Sequence, residues 1–181
     1  MKDEVKAFKP MKHLLHPSSF ILHPCSIMSA LQPTIYTIGH GRHPFSYFLE
    51  LLKEHGIAFV CDVRSVARSR WPQYNGRVLA ELLKENGIGY EHLPECGGKV
   101  VAPPEELARG LDRIMELGAE MRVAIMCSES RPLTTHATPR ANCHRVGLLS
   151  APLRARGARL QHILPDGSIA EFDEASTPSI W

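Results

Sequence analysis

Apolar and polar positions alternate along the chain between two periods, short β-like runs and longer stretches at helical spacing. Five runs read as strands: Thr34 to Ile38, Ile57 to Val63, Gly89 to Leu93, Arg122 to Met126 and Arg159 to Ile163. Between them, Phe45, Phe48, Leu49 and Leu52 follow Pro44 at helical spacing, and Val78, Leu79, Leu82 and Leu83 do so after Asn75, a residue suited to an N-cap. Leu107, Leu111 and Ile114 mark a third helix behind Pro103 and Pro104. Val146, Leu149 and Leu153 mark a fourth, which Pro152 should kink or shorten.

Glycines punctuate this rhythm. Gly56, Gly87, Gly118 and Gly157 each stand where a helix should end and a strand begin, the usual place for a residue that adopts the left-handed conformation at no steric cost. The first three fall at equal intervals, each suited to one strand-helix unit. The last interval is longer, and its surplus falls in the loop from Ser130 to Arg140. Pro165-Asp166-Gly167 then turns the chain into a short antiparallel strand, Ile169 to Phe172. The expected fold is a single three-layer α/β domain over residues 28–173, with a mainly parallel central sheet of about five strands and a short antiparallel strand at its C-terminal end.

Composition adds few constraints. At 181 residues, 44% hydrophobic and 22% charged, the chain has the make-up of one globular domain. Five cysteines without regular spacing argue against a disulfide framework and for a reducing compartment, so a cytoplasmic location is expected. No apolar run has the length of a membrane span. Residues 1–27 hold a near-repeat, Leu15-His16-Pro17 and Leu22-His23-Pro24, whose His-Pro steps suit neither helix nor strand. They are expected to be a disordered extension upstream of a start at Met28, and residues 174–181 a flexible tail. That extension holds Lys2, Lys6, Lys9 and Lys12 against Asp3 and Glu4, which accounts for the whole net charge of +2. Overall charge therefore gives no evidence of a nucleic-acid face on the folded part.

Candidate chemistry gathers at three strand ends: Gly39-His40-Gly41-Arg42, then Asp62-Val63-Arg64 with Arg68-Ser69-Arg70-Trp71, and Cys127-Ser128-Glu129. Right-handed crossovers keep parallel strand ends on one rim of the sheet. The apolar run Val123-Ala124-Ile125-Met126 reads as a strand buried on both faces that delivers Cys127 to that rim. Near Arg64 or Arg145, Cys127 would be a nucleophile or redox thiol with its thiolate favoured; the alternative is an inert buried cysteine, the reading given to Cys61.

Arg64, Arg68, Arg70 and Arg145 are candidates for binding an anion, His40 and His144 for acid/base work, and Glu129 for a catalytic carboxylate. Asp62 and Tyr74 are counted with the substrate-binding residues; Asp62 would also orient His40 or pair with Arg64, and Tyr74 with Trp71 would offer surfaces for stacking. Cys127, Cys143 and His144, with Glu129 or His136, form an alternative zinc set, but no C-x-x-C or H-x-x-x-H spacing accompanies them, so no metal or other cofactor is expected. His92 and His162, on strands, are expected to be satisfied core or rim histidines.

In order, Thr37-Ile38-Gly39-His40, Asp62-Val63-Arg64 with Arg68-Ser69-Arg70 and Tyr74-Asn75, Tyr90 to Leu93 before Gly97-Gly98, and Cys127-Ser128-Glu129 with Cys143-His144-Arg145 resemble the DUF488 family of prokaryotic proteins. The resemblance spans roughly Thr34 to Ile163 and implies a compact α/β domain without an assigned activity. Two departures stand out, a long connection between Cys127 and Cys143 and Pro152 in the following helix. The strand ends are also loosely similar to rhodanese-like and phosphatase domains, where a cysteine nucleophile sits in an anion-binding loop, although Cys127-Ser128-Glu129-Ser130-Arg131 lacks the glycines of such loops.

Two functions are expected from these residues. The first is an enzyme acting on a phosphate-bearing or other anionic substrate, a nucleotide or a nucleic-acid end. The second is a non-catalytic module binding the same ligands.

Overall fold

The computed structural model describes residues 32–100, 102–132 and 143–171. The expectations for residues 1–27 and 174–181, for His136 and for most of the loop from Ser130 to Arg140 lie outside the described residues. Among the described residues six strands form one sheet: β1 (Thr34–Gly39), β2 (Phe59–Asp62), β3 (Gly89–His92), β4 (Val123–Cys127), β5 (Arg159–Ile163) and β6 (Ile169–Ala170). Their order is β3-β2-β4-β1-β5-β6, parallel throughout except for β6, which runs antiparallel to β5. The strands begin and end within two residues of the positions that hydrophobic pattern predicts. All five residues of β4 are buried, as a strand covered on both faces requires.

Helices cover both faces, giving the three layers expected. On one face α1 (Phe45–Glu54) and α2 (Gly76–Glu85) lay Phe48, Leu51, Leu52, Leu79 and Leu83 against Ile38, Val60 and Met126. On the other, α3 (Pro104–Glu120), α4 (His144–Gly147) and α5 (Ser150–Ala155) lay Leu111, Ile114, Val146 and Leu153, with Leu149 from the turn between α4 and α5, against Ile35, Cys61, Val123 and Ile125. No helix of the described residues is long and apolar enough to cross a membrane.

Three of the four punctuating glycines close their helices with positive φ, namely Gly56 at 63°, Gly87 at 74° and Gly157 at 89°. Gly118 does not. Helix α3 continues past it to Glu120, and a Cβ at Gly118 would lie 2.3 Å from Ile35 Cδ1, so this glycine lets the helix settle directly on the sheet. Asn75 does precede α2, but its Oδ1 accepts from the Ser69 N–H at 2.9 Å rather than from the helix, and it braces the preceding loop instead. The expected fourth helix is divided between α4 and α5 ahead of Pro152. Pro152 falls in the first turn of α5, where a missing N–H costs no hydrogen bond. At the outer edge of the sheet, Phe59 pairs with Gly89 and covers it with its ring, and Glu91 of β3 is ion-paired to Arg113 of α3 at 3.0 Å.

Candidate functional site

Chain direction decides where the site lies. The connections leaving β1 and β2 cross the face that carries α1 and α2, whereas the connection leaving β4 crosses the opposite face. β4 lies between β1 and β2, so its carboxyl end is flanked on both sides by strands whose chains turn the other way. An open α/β sheet splits at such a point and leaves a crevice beyond the strand ends. Here there are two crevices, one on each side of Ser128 and Glu129.

The wider, about 620 Å³, lies on the β1 side and is lined by His40, Arg42, His43, Arg68, Arg70 and Trp71. The narrower, about 260 Å³, lies on the β2 side between Arg64, Arg68, Lys99, Cys143 and His144. Arg68, Ser128 and Glu129 form walls of both. The wall between them is held in place by main chain: His40 N–H donates to Cys127 O and Gly41 N–H to Ser128 O, each at 3.0 Å. Gly39 allows this approach, because a Cβ there would stand 1.7 Å from the carbonyl oxygen of Glu129.

Asp62 and Arg64 form the framework beneath. Asp62 is fully buried and accepts from Arg64 Nε at 2.8 Å, from Arg64 Nη2, from the Arg64 N–H at 3.2 Å and from the Tyr90 hydroxyl at 2.8 Å. Arg64 also donates to the carbonyl of Tyr74 at 2.9 Å. The pairing of Asp62 with Arg64, one of two roles open to it from sequence, is therefore the one adopted. The expectation that Asp62 and Tyr74 face a ligand is corrected. Both are 0% exposed, and Tyr74 is stacked on His40 at 4.2 Å and meets Phe48 edge-on. Trp71 keeps its place on the wide crevice, 37% exposed.

His40 is placed at the rim but is a poor acid or base. Its Nδ1–H donates to Gly41 O at 3.0 Å, leaving Nε2 to face Arg64 Nη1 at 3.5 Å. Burial, with the Arg64 charge adding to it, takes its pKa down to about 4, so the ring is neutral near pH 7. His144 is likewise held below the ordinary histidine value by burial, and its Nε2–H donates to Val63 O at 2.6 Å. It lines the narrow crevice, as does Glu129, which is exposed. His92 and His162 are satisfied rim and core residues, on Arg64 O at 2.7 Å and Thr37 Oγ1 at 2.8 Å.

The thiols depart most from expectation. Cys127 is 1% exposed, its S–H reaches Glu129 O at 3.8 Å, and its pKa is raised, not lowered, by burial and by the neighbouring Cys143. Cys143 is shifted the other way: the neighbouring Cys127, the Arg145 charge and backbone N–H groups of its own turn outweigh burial and lower its pKa, which favours its thiolate over that of Cys127. Arg145, expected on the ligand, is instead 0% exposed beside this pair. Only its Nη2 finds an acceptor among the described residues, Ser130 O at 3.3 Å, while Nε and Nη1 have none. No three His, Cys, Asp or Glu among the described residues are grouped so as to hold a metal ion.

Lys99 escaped the sequence reading of the site, which placed Arg42 at a strand end without a role and weighed Cys143 only as a zinc ligand. Arg42 carries the same signal as Arg68, a basic residue just past a strand end, and Lys99 follows the glycine pair that ends the β3 connection.

Residues 44–103 match the family model described as Domain of unknown function DUF488. That stretch is similar to DUF488. It runs from α1 through β3 and contributes Asp62, Arg64, Arg68, Arg70 and Lys99, whereas His40, the two thiols and Arg145 come from outside it. No curated protein and no solved structure matches the chain.

Proposed function

We propose that the domain is an enzyme that binds a phosphate-bearing or other anionic substrate, a nucleotide or nucleic-acid end, across the two crevices, with Cys143 as its nucleophile. One observation supports this above the others. Arg42, Arg68, Arg70 and Lys99 line the crevices with no carboxylate partner among the described residues, and Glu129 is the lone acid among the lining residues. By contrast Arg64, at the base of the narrow crevice, and Arg77, Arg113, Arg156 and Arg159 away from it are each ion-paired. Unpaired guanidiniums converging on a concave strand-end site match the paired oxygens of phosphate or carboxylate. Arg64 supports the floor, and Cys143 replaces Cys127 as the attacking group because it is the one that reaches a crevice and its pKa is the one that is lowered. The four described cysteines are free thiols, which fits a reducing compartment such as the cytoplasm.

Calorimetric titration with inorganic phosphate and with nucleoside phosphates tests the reading. Arg68→Ala, which removes a wall of both crevices, should weaken binding at least about tenfold, or about 1.4 kcal/mol. Unchanged affinity would remove the anion site. Cys143→Ser should keep affinity and lose turnover. Turnover that survives, or none in the parent protein, favours the second reading, a binding module that stacks a base on the exposed Trp71; near-complete burial of both thiols speaks for it.

A further inference from the structure

We propose that Cys127 and Cys143 form a peroxide-oxidisable dithiol, in which Cys143 reacts first and Cys127 resolves it to a disulfide. The inference rests on the dithiol and its cation, and it stands apart from the anion-binding reading because it needs no ligand in the crevices.

Three features of the pair argue for it. Cys127 and Cys143 are packed in one buried cluster and each shifts the titration of the other, so a second thiol already waits beside the first. Cys143 lines the narrow crevice while Cys127 lies beneath it, which gives a small oxidant one point of entry and fixes which sulfur is met first. Arg145 is the third. A guanidinium buried at 0% exposure, with Nε and Nη1 unpartnered among the described residues, demands an anion, and the thiolate is the anion at hand. Cys61 and Cys96 form the internal contrast, since both are buried with their thiols held in the protonated form and neither lines a crevice.

The chemistry balances with a hydroperoxide as oxidant. The Cys143 thiolate attacks the terminal peroxide oxygen; the O–O bond breaks, an S–O bond forms, and the leaving alkoxide or hydroxide takes a proton from water. Cys127 then attacks the sulfenic sulfur, the new S–S bond replaces S–O, and the hydroxyl departs as water with the Cys127 proton. The pair loses two electrons and the peroxide gains them. The disulfide carries no charge, so oxidation removes the counter-ion of Arg145. A buried cation left with the Ser130 carbonyl alone either leaves its site or recruits an outside anion. Oxidation therefore silences the Cys143 nucleophile and loosens the wall that Ser128 to Ser130 provide.

The test is to treat the full chain with stoichiometric hydrogen peroxide at pH 7, block remaining thiols and map peptides by mass spectrometry. The expected product is a single Cys127–Cys143 link, reversed by dithiothreitol. Cys127→Ser should stop at a Cys143 sulfenic acid trapped by dimedone, and Arg145→Met should slow oxidation at least tenfold while Arg145→Lys retains most of the rate. If the Arg145 variants fail to fold, the parent protein and Cys127→Ser decide alone. Loss of Cys61 or Cys96 ahead of Cys143, or a link that forms only in urea, would overturn the proposal.

Discussion

Replacing Asp62 by asparagine should cost the domain stability before it costs it a ligand. The substitution keeps the shape of the side chain and removes its charge, leaving Arg64 buried at 5% exposure with its fork facing an amide. The carboxylate accepts from Arg64 Nε, Nη2 and N–H and from the Tyr90 hydroxyl, and an asparagine can accept at only one atom. Each such charge-assisted bond is worth about 1.5–3 kcal/mol, but desolvation of both ions offsets much of their sum. Removing one partner of a buried pair costs about 3–5 kcal/mol, chiefly because the other charge stays behind. At about 3 °C per kcal/mol, the melting temperature should fall by roughly 10–15 °C. Thermal unfolding followed by circular dichroism measures this. Asp62→Asn combined with Arg64→Met should recover part of the loss, since no unpaired charge then remains. A drop of less than about 2 °C, or a double variant worse than the sum of the singles, would refute the framework role and return Asp62 to the ligand side.

Three further outcomes are expected. Gly39→Ala should displace the Glu129 carbonyl that would lie 1.7 Å from the new Cβ, so that phosphate affinity falls with melting temperature; unchanged affinity would show that the wall between the crevices does not matter. Burial holds His40 at about 4 against an ordinary 6.5, so the unfolded chain takes up its proton first as the solution acidifies. The stability this contributes is complete above pH 6.5 and declines toward pH 4, by about 3 kcal/mol, and His40→Asn should flatten that part of a denaturant-against-pH series. In alkylation of the native protein at pH 7, Cys143 should react before Cys127 and Cys61; labelling of Cys127 first would reverse the roles assigned to the pair.

Much of the fold is legible in the sequence because strand and helix periods differ and the chain keeps to both. Val123 to Met126 announces a doubly covered strand, and Gly56, Gly87 and Gly157 announce helix ends. Gly118 misleads, since a glycine that closes a helix and one that lets a helix lie on Ile35 look the same in one dimension. The rim is legible for a related reason: Asp62, Arg64 and Cys127 lie at strand ends, and handedness brings those ends together. Depth is not legible. Nothing in Cys143-His144-Arg145 tells that Arg145 is wholly enclosed, or that Cys127 lies below Cys143, because both follow from how α4 packs on β4 across a long stretch of sequence.

The outer strand β3 bears on how copies of the protein avoid one another. A parallel sheet with an open border offers unpaired amides and carbonyls as a template for a foreign strand. At the other border the two-residue β6 caps β5, and β3 has no neighbour beyond it among the described residues. Its four residues are short for a template, its first is a glycine shielded by Phe59, and its Glu91 is held in a salt link by Arg113. A strand docking there would have to bring its own side chains up against charge, over a border too brief to hold it. Crowded solutions of this domain should thus resist strand-to-strand polymerisation at β3, and Glu91→Val is the change most apt to undo that resistance.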